Sequence, residues 1–303
     1  MVLGSSNTDL VIRGPRLPHP GETILEGEFY RAAGGKGANQ AVAAARASRG
    51  KVTFIAAVGD DVFGREAIES IRAERIDTRF VKTVAGRASG VALILVDRRG
   101  ENMISVASGA NLELTPDDVD RVPDERFEQA AVFLASLEIP WETVVRGLER
   151  ARRFGLITIL NPAPAREEIA RERWMRLVDV ITPNEGEAAM LVGADPGEPA
   201  TSHASARRLV ELGCGACIVT LGARGCLILD HVATTLPARP VTAIDATAAG
   251  DAFSGALAAA LAEGRALAEA AAWAGTAAAI SVTRQGAQPS LPWREEIERT
   301  YAA

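Results

Sequence analysis

The stretch AVFLASLEIPWETVVRGLERARRFGLITILN, Ala131–Asn161, decides the fold. It holds an apolar run of strand length (Ala131–Leu137), then a helix-length amphipathic segment (Trp141–Phe154), then a second apolar run (Ile157–Asn161). A strand, a crossover helix and a second strand form a βαβ unit, whose two strands run parallel. The alternation recurs on both sides. Further strands are predicted at Val52–Val58, Asp179–Thr182, Ala216–Thr220 and Cys226–Asp230. Further helices are predicted at Asn39–Ser48, Gly64–Glu74, Glu185–Val192, His203–Gly213, Asp251–Glu263 and Leu267–Thr283. The expectation is an α/β fold of three layers, α/β/α, around a mostly parallel sheet. No repeat, low-complexity segment or linker divides the chain, so residues 1–303 read as a single domain.

Two regions break the alternation. Residues 10–31 carry Pro15, Pro18, Pro20 and Gly21 between short β-prone pieces, and residues 89–105 read as a hairpin, with Val91, Leu93 and Leu95 alternating before the turn Asp97–Gly100. Together they predict a small second sheet. Ligands of open α/β sheets bind beyond the carboxyl ends of the strands, so a sheet inserted there serves as a lid or a dimer surface.

Composition narrows the chemistry. With 303 residues, 48% of them apolar, the chain buries a substantial core. A formal charge of −6 and no Lys/Arg block argue against nucleic acid, whose phosphates need a basic face. No apolar run reaches the roughly 18 residues that span a bilayer, and the N-terminus lacks a basic, apolar leader. A cytosolic protein acting on small molecules, with no membrane or nucleic-acid partner, is expected. The chain opens directly on a strand-like run, which points to a few residues upstream. Of the three cysteines, Cys214 and Cys217 have C-x-x-C spacing, but the histidines at 19, 203 and 231 supply no paired ligands. Cys214, Cys217 and Cys226 are therefore read as buried thiols.

DATAAGDAFSG, Asp245–Gly255, strings small residues between two carboxylates just before an apolar-periodic helix. Unpaired N–H groups and the positive end of the helix dipole collect there, and small residues let an anion approach. Asp251 is then either an N-cap or a base that takes a proton from a nearby hydroxyl. GGKGANQ, Gly34–Gln40, is a second glycine-rich turn before a helix. It is neither a Walker A loop, since Gly37 follows Lys36, nor a dinucleotide loop after a strand. Gly4-Ser5-Ser6 likewise does not fit a Rossmann dehydrogenase.

These motifs, with Asn7-Thr8-Asp9, VGDDVFG at 58–64, Leu137-Glu138, NPAPA at 161–165, TPNEGE at 182–187, TLGARG at 220–225 and TRQGAQPS at 283–290, stand in the order of the ribokinase-type sugar kinase family, which the chain resembles through nearly its whole length. The resemblance implies a site. Asn7, Thr8, Asp9, Gly35, Lys36, Gly37, Ala38, Asn39 and Glu138 would bind the sugar, with Asp251 as base and the N–H groups of Ala248, Ala249, Gly250 and Asp251 as anion hole. ATP would lie against Asn184, the turn Thr220, Leu221, Gly222, Ala223, Arg224, Gly225, and Gly250, Asp251 and Gly275. Asn184 and Glu187 would organise magnesium and its waters; read alone, N-x-x-E is also a capping box. Asp245, Thr247, Ser281, Arg284, Gly286 and Ser290 would hold potassium; read alone, Asp245 is an Asx-turn and Arg284 a surface ion pair. Ala246 and Ala248 depart from the family's usual Thr-Gly-Ala-Gly-Asp run, and Gly275 stands where some relatives place a larger residue near adenine.

The implied activity is ATP-dependent phosphorylation of the 5-hydroxyl of D-ribose by a homodimer joined through the lid. Deoxyribose, a ketohexose or a nucleoside is the alternative substrate. A catalytically silent sugar-binding protein would lose Asp251 or Asn184, and both are present.

Overall fold

The computed structural model describes residues 1–166, 169, 173–194 and 199–302. In chain order the elements are β1 (Val2–Leu3), β2 (Asn7–Arg13), β3 (Glu28–Gly34), α1 (Lys36–Ala47), β4 (Thr53–Gly59), α2 (Val62–Ala73), β5 (Asp77–Val84), β6 (Gly90–Val96), β7 (Asn102–Ala107), α3 (Pro116–Asp120), α4 (Asp124–Glu128), β8 (Val132–Ser136), α5 (Trp141–Arg153), β9 (Ile157–Asn161), β10 (Val180–Ile181), α6 (Glu185–Val192), α7 (Pro199–Glu211), β11 (Ala216–Thr220), β12 (Cys226–Leu229), β13 (Ala233–Leu236), α8 (Ala249–Ala262), α9 (Leu267–Ser281) and α10 (Arg294–Ala302).

The large sheet has nine strands in the order β13-β12-β11-β10-β9-β8-β1-β4-β5. It is parallel from β11 to β5, with β12 and β13 antiparallel at one edge. Period-two alternation splits the core cleanly. Val2, Phe54, Ala56 and Leu134 pack with α1, α8 and α9 on one face; Leu3, Ile55, Phe133 and Ala135 pack with α5, α6 and α7 on the other. The three layers agree with the expectation from the alternating pattern. The three cysteines are buried and free, and burial pushes the thiols up, Cys214 to about 12 and Cys226 to about 11.

The second sheet has four strands, β3-β2-β6-β7, built from the two irregular regions. Its strands reach further than the predicted 10–31 and 89–105, starting at Asn7 and extending to Gly34 and Ala107. In the β6–β7 turn, Asp97 Oδ1 accepts from the N–H groups of Arg99 (2.8 Å) and Glu101 (3.0 Å), which closes the hairpin. Register places Ile12 beside Phe29 and Leu95, Leu10 beside Leu93, and Leu95 beside Met103. One face of the lid therefore presents exposed Ile12, Phe29, Leu93 and Met103.

From β1 the chain builds outward to β4 and β5, then returns to β8 and continues the other way to β11. The order thus reverses between β1 and β8, and a crevice opens at the carboxyl ends of these neighbouring strands.

Candidate active site

Two close approaches build the site. A Cβ on Gly37 would lie 2.4 Å from the Gly4 carbonyl carbon, so the first turn of α1 rests directly on the end of β1. A Cβ on Gly255 would lie 2.5 Å from the Ala43 Cβ and 2.7 Å from the Gln40 carbonyl oxygen, so α8 presses backbone to backbone against α1. The alanine-rich faces of both helices make this approach possible. It carries Asn39 and Gln40 of α1 to Asp251 of α8.

Asp251 is not the cap of its helix. Ala248 holds the N-cap position, in a left-handed conformation (φ 59°, ψ 13°) and with no side-chain cap, which makes Asp251 the third helical residue. Its buried carboxylate turns inward: Asn39 Nδ2 donates to Oδ2 (3.0 Å) and Gln40 Nε2 donates to Oδ1 (2.9 Å). Ala249 N donates to the Ala246 carbonyl (3.2 Å), whereas the N–H groups of Gly250 and Asp251 have no partner among the described residues. An uncapped N-terminus with a strained alanine and free donors is an anion-binding surface. Burial raises the Asp251 carboxyl above its ordinary pKa, opposed by the Lys36 charge and the Asn39 and Gln40 donors.

A cavity of about 180 Å³ opens in front of this N-terminus. From the expected set it brings together Lys36, Asn184, Glu187, Thr220 and Ala248 to Asp251. The Lys36 ammonium makes no described hydrogen bond, and attraction to Asp251, Glu138 and Glu187 outweighs its burial and raises its pKa. Asn184 and Glu187 do form the capping box: Asn184 Oδ1 accepts from Glu187 N and Glu187 Oε2 accepts from Asn184 N, both at 2.8 Å. Glu187 Oε1 stays free of described hydrogen bonds. Burial raises the Glu187 carboxyl, with the Asn184 N–H pulling the other way. Leu221 to Gly225 form the turn between β11 and β12, mostly exposed, with Arg224 paired to Glu185 (2.5 Å). Gly275 lies in α9, where an added Cβ would meet open space.

The expected sugar residues adjoin this cavity. β2 directs Asn7 and Asp9 inward and Thr8, between them, to the opposite face, so Thr8 contributes no side chain here. Asn7 Oδ1 accepts from Asn111 Nδ2 (2.7 Å), and Asn111 Oδ1 accepts from Ser6 N (2.9 Å). Glu138 Oε2 accepts from Ser5 Oγ (2.5 Å) and Lys36 N (3.0 Å). Ala38 N donates to the Ser5 carbonyl (2.8 Å), and Gly35 and Gly37 supply backbone beside it. Asp9 makes no described hydrogen bond; burial, then Glu138, then Asp251 push its carboxyl up to about 6. Folded protein thus holds this proton more tightly than the unfolded chain. That contribution to stability is full below about 4 and is lost as pH rises through about 6. Asn39 Oδ1 is buried without a partner among the described residues. An unpaired carboxylate and an orphan amide oxygen suit hydroxyl donors.

Asp245 and the segment 281–290 also meet. Asp245 Oδ1 accepts from Thr247 N, an Asx-turn, and Oδ2 accepts from Gly286 N, both at 2.9 Å. Ser281 and Ser290 hydroxyls lie 2.8 Å apart, and Arg284 turns its side chain to Glu296. Among the described residues no group of three or more His, Cys, Asp or Glu stands ready to hold a metal.

Asn161, Thr182, Ser254, Gln40 and Asn111 have no role in the sequence motifs above, though the first three line the cavity and the last two orient Asp251 and Asn7. One signal is present for two of them: a polar residue ends the largely apolar β9 at Asn161 and follows β10 at Thr182.

The model of the pfkB family carbohydrate kinases matches residues 1–294. A ribokinase of Haemophilus influenzae is 40% identical over 296 residues, 97% of this chain and 95% of its own. A deoxyribokinase of Salmonella typhi is 36% identical over 297 residues, 98% of this chain and 96% of its own. The solved structure of Arabidopsis thaliana ribokinase complexed with ribose and ATP has a TM-score of 0.88 at 27% identity, covering 100% of this chain and 98% of that one. The motifs, the nine-stranded sheet with its separate lid and the matched length agree: this chain belongs to the pfkB family of carbohydrate kinases.

Proposed function

We propose that this kinase transfers the γ-phosphoryl group of ATP to the 5-hydroxyl of D-ribose, as one domain with a β lid. The observation that carries the reading is Asp251: a buried carboxylate held between two amides, in the first turn of a helix with no side-chain cap, lining a cavity of about 180 Å³. Asp251 takes the hydroxyl proton as the oxygen attacks phosphorus, and the γ-phosphorus bond to the ADP oxygen breaks. The N–H groups of Gly250 and Asp251, with Ala248 and Ala249 beside them, receive the negative oxygens of the transferring group. Lys36 lies close enough to Asp251 and Glu187 to add positive charge there. The nucleotide would extend past Thr220 toward the exposed turn 221–225 and the open space beside Gly275. Relatives that phosphorylate ribose and deoxyribose both support a pentose; the unpaired Asp9 and Asn39 Oδ1 favour the substrate with more hydroxyls.

Magnesium fits as an outer-shell guest. Glu187 offers one oxygen free of described hydrogen bonds and Asn184 the second lone pair of its Oδ1, too few groups for direct octahedral binding and enough to hold metal-bound water. When bound it would neutralise phosphate charge. Potassium fits the segment around Asp245, whose oxygens each accept one hydrogen bond, from Thr247 N and Gly286 N, and keep a lone pair; carbonyls of Thr247, Ser281, Arg284, Gly286 and Ser290 would complete the shell. Initial rates should rise when potassium replaces sodium at constant ionic strength, and Asp245→Ala should blunt the response. Equal wild-type rates in the two salts would remove the cation from the account.

A lid face bearing Ile12, Phe29, Leu93 and Met103 in solvent supports a homodimer, because a second copy would cover this apolar face. Sedimentation at micromolar concentration should show a dimer; a monomer would refute it.

The sugar assignment is tested by calorimetry. Asp9→Ala and Asn39→Ala should each weaken ribose binding by about 1–3 kcal/mol, since each leaves a buried hydroxyl unpaired, with nucleotide affinity little changed. Unchanged ribose affinity in both variants would dismiss it.

A further inference from the structure

Gln40 is fully buried in α1 and is not among the residues that line the cavity, yet it holds one oxygen of Asp251. Its Nε2 donates to Asn161 Oδ1 and to Asp251 Oδ1, both at 2.9 Å. Asn161, at the end of β9, donates from Nδ2 to the Thr182 carbonyl at 2.9 Å. A main-chain carbonyl only accepts. Asn161 must therefore give Nδ2 to Thr182, which turns its Oδ1 to Gln40. Gln40 must answer with Nε2, and the second hydrogen of that nitrogen reaches Asp251. One carbonyl on the sheet thus sets the direction of two side-chain amides and ends on the carboxylate. The arrangement leaves Gln40 Oε1 buried with no partner among the described residues, a cost that calls for a reason.

We infer that Gln40, oriented by Asn161, is the positioning residue for Asp251 in phosphoryl transfer. With Asn39 on Oδ2 and Gln40 on Oδ1, each carboxylate oxygen has one donor and keeps one lone pair; the carboxylate cannot rotate away from the substrate hydroxyl. Asn39 also faces the sugar in the reading above, whereas Gln40 acts through Asp251 alone. The inference rests on Asp251 being the base.

The test is a double-mutant cycle on the full enzyme, measuring turnover, ribose dissociation constant by calorimetry, and thermal midpoint. Gln40→Met, which keeps the volume and removes the donor, should lower turnover about tenfold or more while ribose affinity stays within about twofold. In the Asp251→Asn background the same change should leave the residual turnover unaltered. Gln40→Glu, which keeps the shape and presents an acceptor to Asp251, should behave the same way, and serves if Gln40→Met does not give a cooperatively melting protein. Equal losses of turnover in both backgrounds, a parallel loss of ribose affinity, or normal turnover in both Gln40 variants would overturn the positioning role and leave the base assignment standing. Near-normal turnover of Asp251→Asn itself would overturn the base assignment and the positioning role with it.

Discussion

Asp251→Asn should turn over roughly 10²- to 10⁴-fold more slowly than wild type, the usual scale for loss of a general base, with ribose affinity largely kept. The change conserves volume in a buried position and removes the ability to take a proton. It also disturbs the amide pair. Asn39 Nδ2 and Gln40 Nε2 each donate to a different oxygen of the carboxylate, and a carboxamide offers one oxygen where two were used. Asn39 can relieve the clash by rotating its unpaired Oδ1 to the new N–H, which keeps the helix contact. Stability should therefore fall little while turnover falls far. A purely structural Asp251 predicts the reverse: a lowered melting temperature and near-normal rates per folded molecule. Because burial raises the Asp251 carboxyl, the acidic limb of the wild-type rate should lie above the ordinary carboxylate range.

The second large effect is expected far from any reacting atom. Gly255→Val would drive a branched side chain into Ala43 and the main chain of α1 at Gln40, with the first added carbon already 2.5 Å from the Ala43 Cβ. Backbone on the α1 side cannot yield as a flexible side chain does. Overpacking of this kind costs about 1–3 kcal/mol, so the melting midpoint should drop by roughly 2–5 °C. Separating the helices also withdraws Asn39 and Gln40 from Asp251, so turnover of the folded fraction should fall at least tenfold. Thermal denaturation with rates corrected for folded fraction checks both. A variant as stable and active as wild type would show that the close approach of the helices does not position the base.

The contrast between these two positions shows what was legible in the sequence. The α/β layering followed from strand-length apolar runs alternating with helices, and Ile157–Asn161 and Ala216–Thr220 fall where the pattern puts them. β5 escaped because an edge strand is covered incompletely, and its polar residues (DTRFVKTV) break the apolar run. α10 escaped because Ile297 is its one fully buried apolar residue, too little for a stripe. Asp251 could be placed near a helix start, but whether it capped the helix or faced inward depended on where the helix began; Ala248, an alanine with positive φ, decides that and carries no sequence signal. Asn184-x-x-Glu187 was readable both as a capping box and as a metal motif, and the geometry realises the box while leaving one carboxylate oxygen free. Gln40 stood inside a quoted motif, yet its task depends on the crossing of α1 and α8, set by which small residues face one another across two nearly uniform alanine surfaces. A one-dimensional pattern cannot pair such surfaces.

The most direct test of the account is the rate of ADP release from ATP across a panel of D-ribose, 2-deoxyribose, fructose and a nucleoside, with the phosphorylated carbon of each product assigned by NMR. The highest kcat/KM is expected with D-ribose, with phosphate on its C5 oxygen. No sugar-dependent ADP release, a different preferred sugar, or phosphate on another carbon would contradict it.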